Sequence, residues 1–141
     1  MEEKLWIYLA APWVDRAMME SVALQFEDAG YGITHRWWFK ESTPVGERTP
    51  EFMRQCAVED VRGVAEADVV VVFNTVKSEG KAVEQGLAIA WGLPIISIGT
   101  MGEHSNNVFH YLDNYKWVTT IQEAIDSVKE QAIGFTLPAF E

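Results

Sequence analysis

Apolar runs alternate along this chain with segments whose apolar positions recur at helical spacing, a pattern that predicts a parallel sheet with helices on both faces. Five strands fit. The first covers residues 5–11 and precedes a helix over 15–29, where Ala17, Met18, Val22, Leu24 and Phe26 fall largely on one side and Gly30 is the stop. A short second strand follows at 32–35. Residues 36–49 bring together Trp37, Trp38, Phe39, Pro44 and Gly46 with no period, so they read as a loop, and loops of that length usually carry function. Pro50 suits the first turn of a helix capped by Thr49 and running to residue 67. The third strand, 68–74, holds the unbroken run Val69, Val70, Val71, Val72 and Phe73, which suits a central strand buried on both faces. An Ala-rich helix over 80–91 ends at Gly92, and Pro94 leads into a fourth strand at 95–98. A fifth strand at 116–118 and a helix over 121–132 complete the set, leaving a tail that ends Leu137, Pro138, Ala139, Phe140, Glu141.

The expected class is therefore α/β: an open, doubly wound, five-stranded parallel sheet in a single domain spanning 1–141. In such sheets the ligand lies beyond the carboxyl ends of the strands, where strand order reverses. That rule nominates residues 11–16, 36–39, 74–84 and 99–109.

Composition narrows the partner. The net charge of −10, from 11 basic and 21 acidic side chains, repels a nucleic-acid polymer over most of the surface, so the expected ligand is a small molecule. A single phosphate stays compatible, because backbone N–H groups and one or two cations can hold it locally. No apolar run approaches the roughly 20 residues of a membrane span, and the Met1, Glu2, Glu3 start lacks a basic leader region, which reads as cytoplasmic. Cys56 is the only cysteine and reads as a half-buried helical thiol. His35, His104 and His110 are too far apart for a metal motif, and the glycine spacing gives neither a dinucleotide fingerprint nor a P-loop. No metal and no cofactor are expected.

Two carboxylates stand out. Glu84 follows the most buried strand and is expected in the first turn or so of its helix, where the dipole and free N–H groups keep a nucleophilic carboxylate ionised. Glutamates also occupy such turns simply to complement the dipole. Asp60, beside Val61 and Val64, could point into the same crevice, and two carboxylates are the usual equipment for glycosidic cleavage. On spacing alone, Asp60 reads as a solvated helix residue.

Three segments carry a resemblance. Ile7, Tyr8, Leu9, Ala10, Ala11, Pro12, Trp13 with Asp15 and Arg16, then Glu59, Asp60, Val61, Arg62, Gly63, Val64 with Ala67 and Asp68, then residues Gly80, Lys81, Ala82, Val83, Glu84, Gln85, Gly86, Leu87, Ala88, occur in that order. Together they resemble the nucleoside 2-deoxyribosyltransferase family over about residues 5–125. The resemblance implies a flavodoxin-like (Rossmann-like) fold, Glu84 as nucleophile, Asp60 as a sugar-binding aspartate and Tyr8 as the group that orients the nucleophile. It further implies a homodimer or larger homo-oligomer, in which Asn107, in the segment with Phe109, enters a neighbour's site. The implied substrates are a nucleoside or nucleoside monophosphate and a free base. Trp13 and Trp37 are suited to stacking on the base, while Trp38 reads equally as packing.

The chain departs from the transferases six residues before Glu84, where they commonly carry an aspartate and Ser78 stands here. Glu79 is a possible substitute. In this respect the chain is similar to the related 2'-deoxynucleoside 5'-monophosphate N-hydrolases, and Ser78, Gly80 and Lys81 would form a small anion cradle. Residues 10–16, including Asp15 and Arg16, look more like the transferases, although Arg16 can supply a charge. Three readings follow: deoxyribosyl transferase, monophosphate N-hydrolase, and a non-catalytic nucleotide-binding module.

Overall fold

A computed structural model describes residues 3–133; the tail expected at 137–141 lies outside them. Strands β1 (Trp6–Ala10), β2 (Gly32–Ile33), β3 (Val69–Phe73), β4 (Ile95–Ile98) and β5 (Tyr115–Val118) form one sheet in the order β2-β1-β3-β4-β5. All four pairings are parallel, with Tyr8 opposite Val70 and Val71 opposite Ile96. This is the flavodoxin-like order, with the reversal between β1 and β3.

Helices α1 (Met19–Asp28), α2 (Trp37–Lys40), α3 (Pro50–Ala65), α4 (Glu79–Ala90) and α5 (Ile121–Ile133) surround it. The β1-α1-β2 connection runs toward one edge, and the crossovers carrying α3 and α4 run toward the other. Right-handed crossovers then put α1 on the opposite face from α3 and α4. Every residue of β3 is buried, as its unbroken apolar run requires, and each such valine stabilises the fold by roughly 1.5–3 kcal/mol through burial. Thr49 caps α3 by accepting from the Phe52 N–H at 3.1 Å, and Pro50 fills the first helical position. Among the described residues no helix is long and apolar enough to cross a membrane.

Several boundaries differ from expectation. The segment expected to be helical from residue 15 opens as a 3₁₀ turn, Trp13–Met18, because Pro12 offers no side-chain cap to start a regular helix. Its buried stripe is Met19, Val22, Ala23 and Phe26, while Met18 and Leu24 are exposed. The steps between 19, 22, 23 and 26 follow the helical repeat; position 24 lies across the axis from them. The second strand shrinks to two residues, Gly32 and Ile33; beyond it the Thr34 N–H still donates to the Ile7 carbonyl at 3.0 Å and the Thr34 hydroxyl to the Gly63 carbonyl at 2.7 Å. The expected loop at 36–49 contains α2 and a 3₁₀ turn, Val45–Glu47, and its α2 is anchored where the Trp37 indole N–H donates to the Leu9 carbonyl at 2.8 Å.

One glycine sets the spacing of the layers. A Cβ at Gly63 would lie 2.9 Å from the Tyr8 ring and from the His35 Cβ, so α3 lies this close to β1 only with glycine there. That close approach brings Asp60, one turn earlier on α3, toward the carboxyl end of the sheet.

Candidate active site

A cleft of about 330 Å³ opens at the carboxyl edge where strand order reverses. Ala11 and Trp13 line it from beyond β1, Trp37 and Glu41 from α2 and its C-terminus, and Asp60 with Ala57 and Val61 from α3. The remaining wall is the start of α4: Ser78, Gly80, Lys81, Val83, Glu84 and Leu87. Both carboxylates nominated from the sequence therefore line one cavity.

Glu84 sits in the second turn of α4, six residues past its cap Ser78, rather than in the first turn. The free N–H groups at the helix start do not reach it. Instead, the Tyr8 hydroxyl, rising from β1 and wholly buried, donates to Glu84 Oε2. Burial pushes the Glu84 carboxyl up to about 8; the bond from Tyr8 opposes that shift, and the nearby Asp60 and Glu41 carboxyls add to it. The expectation that the helix dipole and free N–H groups keep Glu84 ionised is thus corrected: the group that favours its anion is Tyr8. Burial, with Glu84 alongside, also raises the Tyr8 phenol well above its ordinary value, so it remains a donor.

Asp60 Oδ1 is buried without a hydrogen-bond partner among the described residues. His35 Nε2 is 3.3 Å away but out of hydrogen-bonding line. Glu59, next along the helix, turns away to Lys40 at 2.9 Å and Gln55 at 3.0 Å.

The aromatic wall is strongly tied. The Trp13 indole N–H donates to the Glu41 carbonyl at 2.8 Å, and the Arg16 guanidinium lies 3.3 Å from the Trp13 ring centroid. Arg16 thereby covers one face of Trp13 and does not itself line the cleft. Asp15 accepts from the Thr75 hydroxyl, linking the loops after β1 and β3, and also stays outside the cleft wall. Trp37 presents its ring to the cleft, whereas Trp38 packs beneath, edge-on at 5.7 Å, with its N–H on Glu20 at 3.2 Å.

Ser78, Gly80 and Lys81 do cluster at the mouth, but two of them have work already. Ser78 Oγ accepts from the Lys81 N–H at 3.3 Å as the helix cap. Lys81 Nζ donates to the carbonyls of Phe73 at 3.1 Å and Val76 at 2.7 Å, and burial lowers its pKa. This ammonium latches the loop after β3 to α4.

Asn107 and Phe109 do not reach the cleft. They line a separate groove of about 330 Å³ with Gln85 and Tyr115, where Asn107 caps a 3₁₀ turn through the Phe109 N–H at 3.0 Å. Glu79 faces a third hollow on the far side of Ser78. Among the described residues, no three His, Cys, Asp or Glu side chains are grouped to hold a metal. Cys56 is buried on α3 and unpaired.

The residue that sequence reasoning missed is Glu41. It ends α2, and its carbonyl is pinned by Trp13 and, at 2.6 Å, by Arg48 Nη2. Burial, with Asp60 beside it, pushes the Glu41 carboxyl up to about 8. Its one sequence signal was an acidic residue in a long segment that follows a strand.

No family model matches this sequence, and neither does any curated protein. Solved structures do. The CMP N-glycosidase BcmB of Clostridium botulinum superimposes with a TM-score of 0.60 at 20% identity, covering 88% of this chain and 98% of that one. A 2-deoxyribosyltransferase of Bacillus psychrosaccharolyticus gives 0.65 at 20% identity, covering 86% and 90%. A conserved protein of Enterococcus faecalis V583 gives 0.61 at 13% identity, covering 92% and 99%. Across nearly its whole described length, then, this chain has the fold of a CMP N-glycosidase and of a 2-deoxyribosyltransferase.

Proposed function

We propose that this protein cleaves the N-glycosidic bond of a deoxynucleoside or its 5'-monophosphate, with Glu84 as the attacking carboxylate. The observation that carries the reading is the Tyr8 to Glu84 hydrogen bond at the floor of a cleft that Asp60 also lines. The likeness to an N-glycosidase and a deoxyribosyltransferase supports the same chemistry.

Glu84 attacks C1' of the sugar while the C1'–N bond breaks and its electron pair leaves with the base. The product is a deoxyribosyl ester, reached through an oxocarbenium-like transition state. A second base or a water molecule then attacks C1' and frees the carboxylate. Tyr8 orients the nucleophile, Asp60 takes the sugar hydroxyls, and Trp13 and Trp37 flank the base. Transfer to another base is the first reading.

Hydrolysis of a monophosphate is the second, favoured by Ser78 and Gly80 at the cleft mouth, where the first-turn N–H groups of α4 suit a phosphate. On that reading the phosphate relies on those N–H groups more than on Lys81, whose ammonium already serves two carbonyls. Asn107, outside its own chain's cleft, would serve the site of a neighbouring subunit in a homodimer or larger assembly.

Incubation with deoxynucleosides and their monophosphates, with and without an acceptor base, followed by chromatography, separates the readings. Exchanged bases identify a transferase, and free base without an acceptor a hydrolase. Intact retained ligand and no turnover identify a binding module and refute the enzyme.

A further inference from the structure

We propose that Glu41 is the acid that protonates the departing base, holding its proton against Asp60 until the glycosidic bond breaks. This rests on the reading of Glu84 as nucleophile and extends it to the leaving group.

Three carboxyl groups, Glu84, Asp60 and Glu41, line one cleft of about 330 Å³. Like charges so enclosed cannot all be ionised, and the groups with the fewest stabilising donors keep their protons. Glu84 receives the Tyr8 hydroxyl. Among the described residues, no hydrogen-bond donor or ion-pair cation reaches the Glu41 carboxyl; Arg48 donates to its backbone carbonyl instead. The Glu41 and Asp60 side chains are within hydrogen-bonding reach of each other, and Asp60 Oδ1 is buried without a hydrogen bond to any described residue, with His35 Nε2 3.3 Å from it. A proton on the Glu41 carboxyl, held toward Asp60, satisfies both groups. The groups bearing on Glu41 are Asp60, Glu59 and Cys56 from α3, Arg48 from the segment before it, Glu84 from α4 and Tyr8 from β1. Arg48 is the only cation among them, so the balance favours the proton.

The step balances. As a Glu84 oxygen forms the ester bond to C1', the C1'–N pair goes to the base, and the Glu41 proton passes to the base, which leaves neutral. Glu41 becomes a carboxylate. In the second half it takes a proton from the incoming base or water and is restored. Trp13 and Arg48 hold the Glu41 backbone in place for this transfer.

The test compares a deoxynucleoside with 4-nitrophenyl 2-deoxyribofuranoside, whose leaving group departs as a stable phenolate and needs no proton. Glu41→Gln should lose roughly 10²- to 10⁴-fold in kcat/KM on the nucleoside, whereas its first equivalent of nitrophenolate should be released within about threefold of the wild-type rate, only the later turnovers being slowed by loss of the base. The wild-type kcat/KM on the nucleoside should fall above about pH 8, and that alkaline limb should be missing with the nitrophenyl glycoside. The pH comparison uses wild type alone, so it stands even if the variant folds poorly. Equal losses on both substrates, or the same alkaline limb on both, overturn the proposal. A wild type that turns over neither substrate overturns the glycosyl-transfer reading itself, and this one with it.

Discussion

The Tyr8 hydroxyl on β1 donates to Glu84 Oε2 on α4, tying a wholly buried strand residue to a carboxylate at the cleft floor across the crossover that contains β3. A desolvated carboxylate with one neutral donor is poised between its charge states, as a nucleophile needs. Removing the donor raises its pKa further. In Tyr8→Phe we expect kcat to fall by about tenfold or more and the acid limb of the pH profile to move to higher pH. An unmoved limb would show that Tyr8 does not hold the Glu84 anion.

The same burial costs stability. Folded Glu84 keeps a proton up to about 8, against an ordinary 4.5, so between those values the folded chain binds more protons than the unfolded one. Stability therefore falls as pH climbs through that window. Glu84→Gln removes the penalty, and its melting temperature should exceed that of wild type by roughly 3 °C at pH 8 while matching it near pH 5. Differential scanning calorimetry at the two pH values measures this; a variant less stable at pH 8 would contradict it.

Gly63 links packing to the site. A methyl group there meets the Tyr8 ring and the His35 Cβ at 2.9 Å, and neither contact can relax without moving β1 or α3. Gly63→Ala should destabilise the fold by about 1–3 kcal/mol in urea unfolding and weaken activity as well, since it displaces the helix that carries Asp60. Unchanged stability would mean that the two layers have slack.

Strands and long helices were legible because their signals are local. The run from Val69 to Phe73 could bury itself only as a central strand, and Pro50 after Thr49 marks a helix start by capping chemistry. Glu84 and Asp60 were found as residues, and Tyr8 was named through the resemblance as the group that orients Glu84, yet the burial that raises the Glu84 pKa was not legible. Tyr8 and Glu84 are 76 positions apart, and only the stacking of β1 against α4 joins them. Glu41 was missed because residues 36–49 have no period. Its place follows from tertiary anchors, the Trp37 indole on Leu9 and the Trp13 indole on Glu41 itself. Lys81 reads as a free cation in sequence, but two carbonyls of the preceding loop claim it.

The central claim is that Glu84 becomes covalently glycosylated. Wild-type protein quenched in acid during turnover of a deoxynucleoside, digested and analysed by mass spectrometry should yield the peptide containing Glu84 with one deoxyribosyl group added, and Glu84→Gln should yield none. Steady turnover with no adduct, or an adduct on any other residue, would contradict the account.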